Sequence, residues 1–284
     1  MRVSSQNARV KGKQAQRHND RAFDLKNADH IDDKRTAQNR YASWRGNRSE
    51  GFESDELEYY SRTFADYLSE YNAECVRQSH RERIKTMHDY LHAKKSKPEE
   101  SIYQIGDRDD HVSATVLWEC YCDYYNAMNQ WNREHGYPMK ILDIALHDDE
   151  ATPHIHQRRV WQYHDDNGLL RVGQENALKE AGIELPDPLK PEGRYNNRKM
   201  TFDALMRDKW LDICEAHGLD IERDPLPDGR HHKDKEDYIR DKVDELIDYH
   251  DDLIDKISQM KEGAIDIAHE LINQQEYERG ARER

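Results

Sequence analysis

Apolar residues recur at steps of three and four between 54 and about 93. Leu57, Tyr60, Phe64, Tyr67 and Leu68 follow the pattern first, and Ile84, Met87, His88 and Leu91 take it up again. That period predicts helix. A loop at 94–98 leads to Ser-Ile-Tyr-Gln-Ile-Gly at 101–106, which reads as a short strand, and 112–135 reads as a helix ended by Gly136. Met-Lys-Ile-Leu-Asp-Ile-Ala-Leu at 139–146 is the most strand-like segment of the chain. A polar turn and a second strand at 154–163 follow it, closed by Asp165-Asp166-Asn167-Gly168, so the two strands predict a hairpin. Helices are expected at 174–181 and at 201–217, the latter with Thr201 as N-cap, across a connection holding Pro186, Pro188 and Pro191. Ahead of position 18 the strand candidate is Ala8-Arg9-Val10-Lys11, short and polar for a central strand.

Residues 224–232, with Pro225, Pro227 and Gly229, read as a linker between a domain at 1–223 and an acidic C-terminal helix at 233–284. In that helix Ile239, Val243, Leu246, His250, Leu253, Ile257, Met260, Ala264, Ile267 and Leu271 alternate in steps of four and three, the seam of a coiled coil. A coiled coil implies a homodimer through this helix. His250 and Ala264 weaken the seam and leave open a single helix that folds back.

Composition narrows the class. The 284 residues carry 44 Lys and Arg against 58 Asp and Glu, a net charge of −14, with 35% hydrophobic residues. No stretch approaches the roughly 20 apolar residues that span a bilayer, so no membrane insertion is expected. Met1-Arg2-Val3-Ser4-Ser5-Gln6 lacks the apolar run of a signal peptide, which points to the cytoplasm. Cys75, Cys120, Cys122 and Cys214 form no CxxC pair and are expected as reduced, partly buried thiols. Five Trp, sixteen Tyr and the amphipathic segments argue for a packed core rather than disorder. An acidic total is awkward for a nucleic-acid enzyme, but residues 1–50 hold 12 Lys and Arg against 6 Asp and Glu, a basic arm suited to phosphates.

The densest chemistry lies between the two hairpin strands, where His147-Asp148-Asp149-Glu150-Ala151-Thr152-Pro153-His154-Ile155-His156 gathers three histidines and three carboxylates. Strand alternation puts His154 and His156 on one face and Ile155 on the other. A hairpin brings His147 beside them. Three imidazoles from two strands suit a divalent metal that keeps positions open for substrate. Such a centre serves a hydrolase, or polarises a phosphoryl oxygen during transfer to a protein nucleophile.

The segment His-Asp-Asp-Glu-Ala-Thr-Pro-His-Ile-His resembles the metal motif of plasmid mobilisation relaxases of the MobV type (the Mob/Pre, or plasmid recombination, family), which are HUH endonucleases. Arg17-His18-Asn19-Asp20-Arg21, followed by Asn27-Ala28-Asp29-His30-Ile31-Asp32, Arg35-Thr36 and Asn39, is similar to that family's N-terminal HNxR element and the Asn/Asp-rich stretch after it. Arg194-Tyr195-Asn196-Asn197-Arg198-Lys199, with His217-Gly218-Leu219-Asp220 beyond, is similar to the segment downstream of the metal site.

The resemblance implies an α+β fold: an HUH-type antiparallel sheet flanked by helices, with a C-terminal helical or coiled-coil extension. It implies a relaxase that nicks one DNA strand at a plasmid transfer origin, in single-stranded or supercoiled DNA, and can rejoin it, with the conjugation coupling machinery as a further partner. His18 would be the nucleophile and form a 5′-phosphoryl-histidine. His147, His154 and His156 would hold Mn²⁺ or Mg²⁺, with Glu150 as a further ligand or an orienting partner. Arg17, Asn19, Arg21, Asn27, Asp29, Arg35, Asn39, Arg198 and Lys199 would contact or position DNA.

Three other readings stand beside this one. A rolling-circle replication initiator or HUH transposase would use a tyrosine, for which Tyr59-Tyr60 is the available pair, although the helical pattern places both in a core. A coiled-coil DNA-binding or assembly protein would carry a purely structural metal. A hydrolase of small phosphoesters would turn over without a covalent adduct.

Overall fold

The computed structural model describes residues 3–6, 13–22, 31–46 and 51–223, with backbone alone at 3–6 and 13–15. The 8–11 strand candidate, Asn27, Asp29, the 224–232 linker and the 233–284 helix lie outside these residues. The elements in chain order are β1 (Val3–Gln6), α1 (Lys13–Asn19), β2 (Arg40–Ser43), α2 (Phe52–Thr63), α3 (Ala65–Arg77), α4 (Met87–His92), β3 (Glu99–Ile105), α5 (Ala114–Glu134), β4 (Met139–His147), β5 (His154–His164), β6 (Leu170–Val172), α6 (Gln174–Glu180) and α7 (Arg198–Ala216).

The β4–β5 hairpin predicted from the sequence forms the middle of an antiparallel sheet with strand order β1-β3-β5-β4-β2, and β6 pairs with the far end of β5. Both faces of the hairpin are covered, so β4 is an almost uninterrupted apolar run rather than an alternating one. On one face α5, α6 and α7 pack through Leu117, Tyr121, Tyr124, Met128, Ala177, Leu178, Phe202, Met206 and Trp210 onto Tyr103, Ile105, Ile144, Leu146, Ile155 and Trp161. The other face carries a smaller apolar cluster in which Tyr60, Phe64, Leu68, Tyr90 and Leu91 meet Leu142 and Val160. The shift in β4–β5 register between Ile141 and Asp143 is a bulge that lets Leu142 join this second cluster. These are the α+β layers expected from the sequence.

Several boundaries differ from expectation, each for a local reason. The 54–93 helical stretch is three helices, broken at Phe64 (φ −114°, ψ 13°) and again after Gln78, where Ser79 takes φ +62°. Ile84 therefore falls outside helix and is exposed, while Tyr60 is fully buried. α7 begins three residues earlier than expected because Asn197, in extended backbone, caps it by accepting from the Met200 N–H (3.2 Å). Thr201 Oγ1 instead donates to the Glu184 carbonyl (2.8 Å). β3 ends at Gly106, whose φ of +91° and close approach to the Asp110 carbonyl admit no side chain, since a Cβ there would lie 2.1 Å from that oxygen. Cys75, Cys120 and Cys214 are buried free thiols and Cys122 is half-buried. Among the described residues, no helix is long and apolar enough to cross a membrane.

Trp210 is fully buried against Tyr103 and Tyr124 (ring centroids 5.6 and 5.2 Å), bracing α7 on α5 and β3. Trp210→Ala is expected to lower unfolding free energy by about 3–5 kcal/mol, read as a shifted midpoint in urea denaturation. An unshifted midpoint would show that this layer does not carry the core.

Candidate active site

The hairpin turn brings His147 opposite His154, with Ala145 opposite His156 two pairs further along. Pairing of β5 with β3 sets His156 opposite Ile102. The three rings lie 4.8–5.3 Å apart, centroid to centroid, on one face of the sheet. All three residues are buried.

The tautomer of each ring is fixed by a partner that only accepts. His156 Nδ1–H donates to Glu100 Oε1 (2.6 Å), His154 Nδ1–H to the Thr152 carbonyl (2.9 Å) and His147 Nε2–H to the Asn19 carbonyl (3.1 Å). The opposite nitrogen of each ring then carries a lone pair. His147 Nδ1 and His156 Nε2 are buried with no hydrogen-bond partner, and His154 Nε2 faces Glu150 Oε1 at 3.9 Å. Three lone pairs aimed at one small volume, each backed by a carbonyl or carboxylate, are the donor set of a divalent metal site. With His18, their ligating atoms all lie within 4.8 Å of one another.

Burial lowers the pKa of His147 far below the ordinary histidine range, and the proximity of His156, Arg21 and His154, which disfavours a further positive charge, pushes it the same way. Burial and His156 likewise lower His154, to about 4 after partial compensation by Glu150. Both rings are therefore neutral at pH 7 and able to ligate. Burial by itself would raise the Glu100 carboxyl. The hydrogen bond from His156 and the neighbouring Arg158 guanidinium outweigh it and bring Glu100 to about 2.

His18 enters from α1. The helix ends in a turn where the Ala22 N–H donates to the Arg17 carbonyl (2.9 Å) and the Arg21 N–H to the His18 carbonyl (3.1 Å), with Arg21 in the left-handed region at φ +54°. Glycine usually fills that place, and an arginine there is strained by roughly 1 kcal/mol. The guanidinium holds it: Arg21 makes a two-pronged contact with Asp149 and also donates to Glu150 Oε1 (2.8 Å) and the His18 carbonyl (3.1 Å). Its Nη1 lies 3.2 Å from His18 Nε2, which is in turn 3.3 Å from Glu150 Oε1. The His18 side chain is 32% exposed, against 0% for His147, 11% for His154 and 6% for His156. Of the four rings it is the one open to a large substrate.

The residues expected to contact DNA divide in two. Arg17 and Lys34 are exposed, and Arg35 is half-exposed while bound to Asp148 (2.7 Å). Asn19 and Arg21, by contrast, are buried. Asn39 donates to Asp149 (2.7 Å) and accepts from the Asp148 N–H (2.8 Å), which anchors the hairpin turn. These three brace the site from within. Arg198 and Lys199 stand apart from the histidine cluster, paired with Glu175 and Glu192 and with Glu99 and Asp203. Tyr59 and Tyr60 are committed to the core, donating to Gln162 (2.8 Å) and the Ser96 carbonyl (2.5 Å).

Glu100, Glu56, Arg158 and Tyr41 were not singled out from the sequence. Arg158 follows His154 and His156 on the same face of β5 and is neutralised in the interior by Glu56 and Glu100. A buried arginine on a histidine-bearing strand requires such carboxylates, and that was the available signal. Tyr41, on β2 opposite Ala145, lies near Arg21 and Asp149, and burial raises its pKa.

Two outcomes are expected. Glu100→Gln weakens Mn²⁺ binding about 10- to 100-fold, by calorimetry, with far-UV circular dichroism unchanged because Glu56 still neutralises Arg158. The metal-free protein also loses stability on acidification. The unfolded chain takes up protons at the ordinary histidine pKa of 6.5 while folded His154 resists until about 4, so the His154 contribution to unfolding free energy falls by about 2–3 kcal/mol between pH 7.5 and 4.5. His154→Gln flattens that slope in denaturant titrations; an equally steep variant would refute the assignment.

No protein-family model matches the chain, and no curated protein matches its sequence. Solved structures of the MobM relaxase domain (MOBV; Mob_Pre) bound to plasmid pMV158 oriT DNA are similar to it. One, Mn-bound with a 22-nucleotide DNA at pH 5.5, shows 17% identity and a TM-score of 0.47 over 84% of this chain and 99% of that one. Another, with a 23-nucleotide DNA at pH 6.5, shows 16% identity and a TM-score of 0.47 over 86% and 99%.

Proposed function

We propose that the protein is a metal-dependent DNA relaxase that nicks one strand at a plasmid transfer origin. The observation that carries the reading is the set of three buried imidazoles with outward-committed N–H groups beside a fourth, more exposed histidine on α1. The ordered sequence motifs around His18 and at 147–156 supply the substrate class.

His147, His154 and His156 would hold a divalent ion, with Glu150 beside them. Such an ion polarises a phosphoryl oxygen and offsets charge that develops in the transition state. In this reading His18 attacks phosphorus through a ring nitrogen. A phosphorus–nitrogen bond forms, the bond to the 3′ oxygen breaks, and the proton released by the imidazolium ends on the free 3′-hydroxyl. The 5′-phosphoryl-histidine keeps the phosphoryl group activated, and attack by the 3′-hydroxyl reverses the step and reseals the strand. Arg21 and Glu150 position His18, since both contact it and both are held by the hairpin turn. Exposed Arg17 and Lys34, with Arg35, would receive the flanking phosphates.

A second reading rests on Tyr41, the phenol placed near Arg21 and Asp149; a tyrosine nucleophile would favour a replication initiator or transposase. In a third, His18 is a fourth metal ligand and the site is purely structural.

Nicking of supercoiled plasmid carrying the cognate origin, with Mn²⁺, separates them. His18→Ala is expected to abolish an acid-labile, protease-sensitive 5′ adduct while Mn²⁺ affinity stays within about threefold. Retention of the adduct in His18→Ala, with its loss in Tyr41→Phe, would move the nucleophile to Tyr41. A collapse of Mn²⁺ affinity in His18→Ala equal to that in His154→Ala would make His18 a ligand.

A further inference from the structure

α4 bears the sequence His88-Asp89-Tyr90-Leu91-His92, which sets two imidazoles one turn apart on the same helix face. Their ring centroids are 4.4 Å apart. Both Nε2 atoms turn toward one carboxylate oxygen of a different helix: Glu53 Oε1 on α2 lies 3.3 Å from His88 and 3.0 Å from His92. One ligating atom from each residue lies within 4.8 Å of the others, and the group shares no member with the histidine cluster at the hairpin.

We propose that Glu53, His88 and His92 form a second metal site, for Zn²⁺ or a cation of similar softness, that staples α4 to α2. Two imidazoles and one carboxylate are a donor set that Zn²⁺ accepts with a position left for water. Imidazole pairs bind Zn²⁺ more tightly than Mn²⁺ by the usual order of divalent affinities. The two helices hold the donors in place. Tyr90 and Leu91 are buried beside Tyr60 and Phe64. The start of α4 is locked by a reciprocal cap in which Thr86 Oγ1 accepts from the Asp89 N–H (3.1 Å) and Asp89 accepts from the Thr86 N–H (2.9 Å).

That cap also decides what the site does. Asp89 occupies the position where a His-acid-x-x-His helix would keep a general base, but its Oδ2 takes hydrogen bonds from the Thr86 N–H and from Thr86 Oγ1 (2.7 Å). With the carboxylate spent on the cap, the role is structural rather than hydrolytic. A staple here would steady the first turn of α2, whose Phe52 N–H is capped by Asp20 and which carries Glu56, the partner of Arg158, one turn on.

The test is Zn²⁺ calorimetry on the untagged full-length protein and on His88→Ala and Glu53→Gln, paired with thermal melts. These exposed or half-exposed side chains permit folding of the variants, which circular dichroism checks. The expected result is one Zn²⁺ equivalent fewer in His88→Ala, a tenfold or greater weakening of that equivalent in Glu53→Gln, and a Zn²⁺-induced rise in melting temperature reduced in both. The reading of the hairpin cluster is untouched by this outcome, because Mn²⁺-dependent nicking by His88→Ala is measured separately and is expected to persist. Equal Zn²⁺ stoichiometry in wild type and His88→Ala would overturn the second site.

Discussion

A charged strand at the centre of the sheet governs this fold. β5 runs His-Ile-His-Gln-Arg-Arg from its first residue, and all six side chains are buried. Buried arginine is tolerated only when its charge is matched and its donors are used. Arg158 meets this condition through Glu56 and Glu100, while the charge of Arg159 is matched by Glu99 and its Nη2 also donates to Ser101 Oγ (2.8 Å). Gln157 accepts from the Tyr121 hydroxyl (2.7 Å) on the opposite face. These partners come from α2, β3 and α5, so neutralising β5 docks both helical layers and the neighbouring strand in one arrangement.

Glu100 links this constraint to chemistry. One of its oxygens accepts from His156 and the other from Arg158 (3.1 Å). The ion pair that permits an arginine on β5 therefore also orients a candidate metal ligand two residues away. A second brace acts from α1, where Arg21 gathers Asp149, Glu150 and His18 at the cost of a left-handed backbone. Strain of this kind persists where surrounding contacts over-determine it. Asp149 is over-determined in turn, since Arg21, Asn39 and Thr36 all donate to it.

Much of this was legible in the sequence where periodicity is strong. The β4–β5 hairpin, the long α5 and the same-face pairing of His154 and His156 follow from strand alternation and helical spacing. The breaks in the 54–93 stretch were hidden because Phe64 and Ser79 interrupt the backbone without interrupting the apolar pattern. Glu100 and Glu56 could not be placed because their roles depend on pairings more than fifty residues apart, to Arg158 and His156. In sequence, Arg21 sits among basic and polar neighbours that suggest a DNA contact and give no sign of burial. Its burial depends on Asp149, which lies 128 residues away.

On the proposed reading, the charge balance of the site would couple phosphate to metal. Asp148, Asp149, Glu150, Glu56 and Glu100 face Arg21, Arg35 and Arg158, five carboxylates against three guanidinium groups, while neutral His147 and His154 add nothing. The arginines nearest His18 and the turn are already engaged with protein carboxylates, so they bring little free positive charge to a phosphate. A dication held by the three imidazoles would cancel that excess of two negative charges, and its attraction for phosphate would be strong where burial lowers the effective dielectric. Phosphate and dication then favour each other's binding by the same free energy in either order. In an acidic chain, that coupling would favour phosphate binding at the metal-loaded site, with exposed Arg17 and Lys34 among the described cations left for non-specific contact.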